Sequence, residues 1–234
     1  AGGRDHEREP DRRRATAAAH RRNGGGAVVG KNDHGRWHGA TVVICASGPS
    51  LTGQDCRHAA RADKAIAVNT SFRAAPFADV LYACDFGWWR AHRAEVAAAF
   101  AGELWTVDVQ ARDQFGVRWI QGVDRPGLAP LDGPGPHRIH TGFNSGYQAL
   151  GLAALWGARR ILLLGFDFAN FGHQVHWHAR HPPGLSSGGG HYPVWIAAMN
   201  RLAVDLANAQ IEVVNCSRRS ALTCFPRRAI EACL

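Results

Sequence analysis

A regular alternation that begins at Ala40 constrains this chain more than anything else in it. A short run of β-branched or aliphatic residues ends in a small or polar turn, a stretch with helical spacing follows, and the pair recurs to the end of the chain. The runs "TVVICA" (41–46), "KAIAVN" (64–69), "VLYACD" (80–85), "RRILLLGFDF" (159–168) and "IEVVNCS" (211–217) read as strands. "GQDCRHAARA" (53–62), "FGWWRAHRAEVAAAFA" (86–101), "NSGYQALGLAALWGA" (144–158) and "PVWIAAMNRLAVDLANA" (193–209) read as helices. "ELWTVD" (103–108) and "VRWIQG" (117–122) add two short strands, and a helical piece ends the chain. Strands this apolar must be covered on both faces, and strands separated by helices pair in parallel. The expected fold is therefore α/β and Rossmann-like, a mostly parallel sheet with helices on both faces.

Residues 1–38 stand apart, because Arg, Gly, Ala and His dominate them without a helical or strand period. Such a segment buries too little apolar surface to offset its ordering entropy. The expectation is a disordered basic tail over 1–38 and one domain over 39–234. No apolar run approaches the roughly 18–20 residues of a membrane helix, and the start lacks the apolar stretch of a secretory signal. The six cysteines, Cys45, Cys56, Cys84, Cys216, Cys224 and Cys233, form no CxxC pair, which points to reduced thiols in a cytoplasmic protein. The formal charge of +8 is dispersed over the tail and over Arg pairs such as Arg218-Arg219 and Arg227-Arg228. That dispersion fits a solvated face, or a site for a phosphorylated small molecule, better than a nucleic-acid surface.

In parallel sheets of this kind ligands sit beyond the carboxyl ends of the strands. The residues there are small or polar: Ser47-Gly48-Pro49-Ser50, Asn69-Thr70-Ser71, Cys84-Asp85, Gly165-Phe166-Asp167 and Asn215-Cys216-Ser217. The first turn has a single glycine, so it is neither a GxGxxG fingerprint nor a Walker A loop. Gly48 would admit a ligand close to the backbone, Pro49 would stiffen the turn, and Ser50 could cap the next helix; an ordinary strand-to-helix bend fits the same residues. Asn144, Ser145 and Gly146 open the small-residue helix, either as a plain cap or as the positive helix end facing a phosphate.

The segment "FGHQVHWHARHPPGLSSGGGHY" carries His173, His176, His178, His181 and His191. No cysteine joins them and HxH on an irregular loop has no fixed geometry, so a mobile flap is expected rather than a zinc site. His191 stands last, just before a helix, where it could serve as a general base or lie on the surface.

The order "VVICASGPSL", "AIAVNTSF", "NSGYQALGLAALWGARRILLLGFDF", "HYPVWIAAMNRLAVDLANAQIEVVNCSRRSAL" resembles the bacterial lipooligosaccharide sialyltransferases of glycosyltransferase family 42. It also resembles the wider family called domain of unknown function 115, which includes the archaeal 6-hydroxymethylpterin diphosphokinase, and within it phage-encoded members. The similarity runs from about Thr41 to Leu222. In family 42 the Gly-Pro-Ser-Leu turn, the Asn after the second strand and the Ser-Gly before the helix line the CMP-sugar pocket. The resemblance thus implies donor binding by Gly48, Pro49, Ser50, Asn69, Ser145 and Gly146, with His191 as general base. Ser47, Asp167 and Ser217 join them from their places after the strands, and Asn144 from its place at the helix start. Ser47 stands where the sialyltransferases have Asn and Asn144 where they have Thr, and their paired tyrosines have no clear counterpart.

The implied activity is group transfer, most simply glycosyl transfer, from a nucleotide-activated donor of the CMP-sugar type to a hydroxyl acceptor such as a glycan. That reaction requires no metal or other cofactor. A pterin-kinase-like diphosphotransferase would instead need Mg²⁺ at Asp85 or Asp167, and a phage morphogenesis module would bind no nucleotide. The oligomeric state stays open.

Overall fold

The computed structural model describes residues 35–132, 137–178, 185 and 191–234. Seven strands form one parallel sheet. In chain order they are β1 (Thr41–Cys45), β2 (Lys64–Val68), β3 (Val80–Tyr82), β4 (Glu103–Thr106), β5 (Arg118–Trp119), β8 (Arg160–Leu164) and β9 (Glu212–Asn215). Their spatial order is β5-β4-β3-β2-β1-β8-β9, and every pairing is parallel. β6 (Gln121–Val123) and β7 (Arg138–His140) form a separate parallel pair. The helices are α1 (Gly53–Ala59), α2 (Phe86–Ala99), α3 (Val109–Phe115), α4 (Ser145–Leu155) and α5 (Tyr192–Asn208).

The strands sort their residues by twos, as the pleat requires. Val42 and Ile44 of β1, with Ile161 and Leu163 of β8, join one core, where α4 and α5 supply Leu150, Met199 and Leu202. Val43 and Cys45, with Leu162 and Leu164, join the other, against Cys56 of α1, Trp88 and Trp89 of α2 and Ala111 of α3. Both faces of the sheet are thus covered, and the Rossmann-like reading of the sequence holds. α4 lies flush against the sheet because its interior is small; all eleven of its residues are buried.

Three local features depart from the sequence reading. "VRWIQG" is split: Arg118–Trp119 ends the main sheet, and after Ile120 the chain leaves to pair Gln121–Val123 with Arg138–His140. α3 had no apolar face to announce it, since only Ala111 of its seven residues is buried; its ends are set by Asp108, which caps Ala111 N–H, and by left-handed Gly116. The C-terminal helical piece is a short 3₁₀ turn, Ile230–Ala232.

The tail boundary also moves. Residues 35–38, expected in the tail, pack on the domain: Trp37 N–H donates to Trp156 O at 2.7 Å and the Trp37 side chain is buried. Arg36 donates to both oxygens of Glu103 at 3.0 and 3.1 Å. Burial of the indole fixes this short turn, a signal lost among the surrounding Gly, Arg and His. The rest of the expected tail, 1–34, lies outside the described residues. No helix among the described residues is long and apolar enough to cross a membrane.

Candidate functional site

From β1 the sheet is built outward in one direction through β2 to β5, and from β8 in the other to β9. The turns leaving β1 and β8 therefore diverge, and a crevice opens beyond their carboxyl ends. At its base the two turns touch. Gly48 N–H donates to Gly165 O at 2.8 Å. A Cβ on Gly48 would meet Gly165 O at 2.4 Å, and one on Gly165, whose φ is +69°, would meet Ala46 O at 2.4 Å. Two glycines are the condition for this contact.

The crossing is braced by Ser50 and Ser217, which lie outside the cavity lining, and by Asp167, which also lines the cavity. Asp167, almost fully buried, accepts from Ser50 N–H and Ser50 Oγ, both at 2.6 Å. Burial raises the Asp167 pKa, and the Ser50 hydrogen bonds oppose that rise. Ser217 Oγ accepts from Phe166 N–H at 2.8 Å, while Ser220 Oγ donates to Phe166 O at 2.6 Å. Ser50 and Ser217 thus sit outside the cavity lining and hold the turns that form it.

The cavity measures ≈ 310 Å³ and is lined by Ser47, Gly48, Pro49, Asn69, Asn144, Ser145, Gly146 and Asp167 among others. That is within the size range of small-molecule sites. Asn69 directly follows β2 with φ +51°, and its Oδ1 is buried with no hydrogen-bond partner among the described residues. A buried acceptor without a donor costs free energy unless a ligand or water supplies one. The amino end of α4 lines the same cavity. Asn144 caps that end by accepting from Tyr147 N–H at 2.8 Å, and Ser145 Oγ accepts from Cys84 N–H at 3.2 Å. A Cβ on Gly146 would stand 3.1 Å from the Phe166 ring. A buried helix start with its first N–H groups at a cavity wall is suited to an anion.

Asp85, which the sequence offered as a metal ligand of a diphosphotransferase, occupies the N-cap position of α2 but makes no capping hydrogen bond, and it is exposed at the cavity. The sequence left several other lining residues out of the candidate set. Phe143, Phe168, Tyr192 and Trp195 form aromatic walls. Tyr192 OH donates to Asn170 Oδ1 at 2.9 Å, and burial raises its pKa. Aromatics beside a cap or a Gly-x-Asp turn were the available signal, but an aromatic there equally reads as core.

Trp177 anchors the start of the histidine-rich segment over the first turn. Its N–H donates to Ser47 O at 3.2 Å and its Nε1 to Ser71 Oγ at 3.2 Å. This carries Val175 and His176 into the cavity lining. Burial lowers the His176 pKa, against a raising hydrogen bond at the Ser47 backbone. His176 and His178 stack at 5.0 Å. His181 and the Ser-Gly stretch lie outside the described residues. Among the described residues, no three His, Cys, Asp or Glu side chains converge as metal ligands do. His191, expected at the reacting centre, is the exposed N-cap of α5, outside the cavity lining, its ring 5.8 Å from that of the lining residue Trp195.

No protein-family model matches the chain, and no curated protein matches it. Among solved structures it is similar to the MAf glycosyltransferase from Magnetospirillum magneticum AMB-1, with a TM-score of 0.59 and 18% identity. The match covers 86% of this chain but 35% of that enzyme, so the chain spans about a third of its length. A short chain dehydrogenase from Mycobacterium smegmatis, at a TM-score of 0.25 and 16% identity, is too distant to carry an argument. At this identity the likeness is one of fold: the α/β architecture of this chain is the one found within that glycosyltransferase.

Proposed function

We propose that the chain transfers a glycosyl group from a nucleotide-activated donor of the CMP-sugar type to a hydroxyl acceptor. The observation that carries this reading is that one cavity is lined both by the buried α4 amino end and by Asn69, whose Oδ1 is buried without a partner among the described residues. The helix end wants an anion and the Oδ1 a hydrogen-bond donor, and a nucleotide brings both. The fold shared with part of a glycosyltransferase agrees with it.

In the reaction, the bond from the anomeric carbon to the donor's phosphate oxygen breaks and its electron pair stays on the phosphate. The backbone N–H groups of Ser145 and Gly146 at the start of α4 stabilise that developing charge, as preorganised dipoles do. The acceptor oxygen bonds to the anomeric carbon, and its proton passes to the His191 imidazole at the rim beside Trp195. Ser47, Gly48, Pro49, Asn69, Asn144 and Gly146 hold the nucleotide, while Ser50, Asp167 and Ser217 hold the turns. This chemistry requires no metal.

Asp85 favours one alternative. Its carboxylate is left unused by the helix it precedes, a position where Mg²⁺ could bridge to ligand phosphates in a diphosphotransferase. The test is one experiment in two arms. CMP should raise the melting temperature equally with Mg²⁺ or with EDTA. His191→Ala should leave CMP affinity nearly unchanged while slowing transfer by about two to four orders of magnitude. An absolute Mg²⁺ requirement, or normal turnover without His191, contradicts the mechanism.

A further inference from the structure

Phe143 is anomalous twice over. It holds φ +67°, a left-handed backbone that a bulky L residue rarely adopts, and its side chain is 52% exposed. Phe168 has a similar backbone, φ +49°, but packs near the rings of Phe166, Tyr192 and Trp195. No ring of the described residues stacks on Phe143, and it belongs to neither hydrophobic core. Packing explains one phenylalanine and not the other.

The backbone around it is clamped. Gly142, also left-handed at φ +47°, lies so close to the Tyr147 ring that a Cβ there would overlap it at 2.2 Å. Tyr147 is itself fixed, its OH donating to Gly127 O at 2.7 Å. Asn144 N–H donates to Thr141 O at 3.3 Å and Asn144 Nδ2 to Gly142 O at 3.3 Å. The turn therefore cannot relax, and it presents the Phe143 ring at the cavity wall two residues before Ser145.

We infer that Phe143 is the stacking platform for a nucleobase. The inference rests on the nucleotide reading above and adds to it where the base lies. With a phosphate at the α4 amino end, the base of a nucleoside monophosphate is one ribose away, within reach of a side chain two residues upstream. A flat exposed phenyl ring recognises any base face, and such stacking is worth roughly 5- to 150-fold in affinity per base. The fold retains a strained, solvent-facing ring at this one place because the ligand covers it.

Calorimetric titration of CMP, UMP, AMP, GMP and ribose 5-phosphate into the full chain and into Phe143→Gly tests this. Glycine is at ease at positive φ, so the variant should keep or raise the melting temperature. It should weaken the tightest nucleotide by roughly tenfold or more while leaving ribose 5-phosphate unchanged, and Phe143→Tyr should restore the nucleotide. The inference is overturned if nucleotide affinity is unaltered, if ribose 5-phosphate falls in parallel, or if the glycine variant is markedly less stable. It is also overturned if the parent chain binds ribose 5-phosphate as tightly as every nucleotide. Binding of none of the five ligands by the parent chain marks failure of the nucleotide reading itself.

Discussion

At the amino-terminal edge of the sheet, Trp37 and Trp105 meet Trp156 edge to face at 4.5 and 5.2 Å, and the Arg36 guanidinium lies 3.9 Å over the Trp156 ring. At the carboxyl edge, Asn69, Phe143 and Phe168 hold left-handed backbone around an open cavity. Among the described residues Gln210 is the remaining non-glycine with positive φ. One edge gathers aromatic area and cation–π contact; the other concentrates strain, an unpartnered acceptor and an exposed ring. Strain persists only where the surrounding structure over-determines it, and the packed edge, joined to the cavity through α4, is part of what does so.

That contrast is broken first at Trp37. Trp37→Ala should destabilise the fold by about 3–5 kcal/mol in denaturant unfolding, the usual cost of emptying a buried tryptophan. Nucleotide affinity measured well below the melting temperature should not change. Deletion of residues 1–38 should be at least as damaging, whereas an unchanged melting temperature would return Trp37 to the tail.

The opposite signature is expected at Asn69. Asn69→Gly relieves the left-handed backbone and removes the buried Oδ1, so stability should rise by about 0.5–1 kcal/mol. CMP binding should weaken by about 1–2 kcal/mol for one lost hydrogen bond. Loss of stability with full binding would make Asn69 a structural residue and erase the distinction between the two edges.

The smallest effect is set by His176. Its folded pKa lies below the unfolded value of about 6.5, so the neutral ring contributes stability that is complete above that pH and is lost as pH falls through the folded value. Melting temperatures between pH 7.5 and 5 should therefore decline more in the parent chain than in His176→Asn. Equal declines would detach His176 from the packing of the carboxyl edge.

The sheet was legible because β1, β2, β8 and β9 are nearly continuous apolar runs, and a run apolar on both sides of the pleat has few other places to go. The positions of Gly48 and Asn69 followed from strand ends, and that of Ser145 from the helix start it marks. What sequence could not separate was lining from bracing. Ser50 and Asp167 look like ligand groups, yet they hold each other, a pairing between residues 117 apart that only the crossing of two turns creates, and of the two only Asp167 lines the cavity. Phe143 and Trp37 were hidden for a related reason, since a single aromatic in a polar stretch carries no period, and its burial or exposure is decided by distant partners.

The account turns on whether the α4 amino end receives a nucleotide phosphate. Titrating CMP into ¹⁵N-labelled protein, without added Mg²⁺, and following the backbone amides answers this directly. Saturable shifts centred on Ser145 and Gly146, with smaller ones at Gly48 and Asn69 and none at Trp37, are the predicted result. Shifts confined to a second hollow, lined by Asp55, Arg218 and Arg227, or no shift at millimolar CMP, would contradict it.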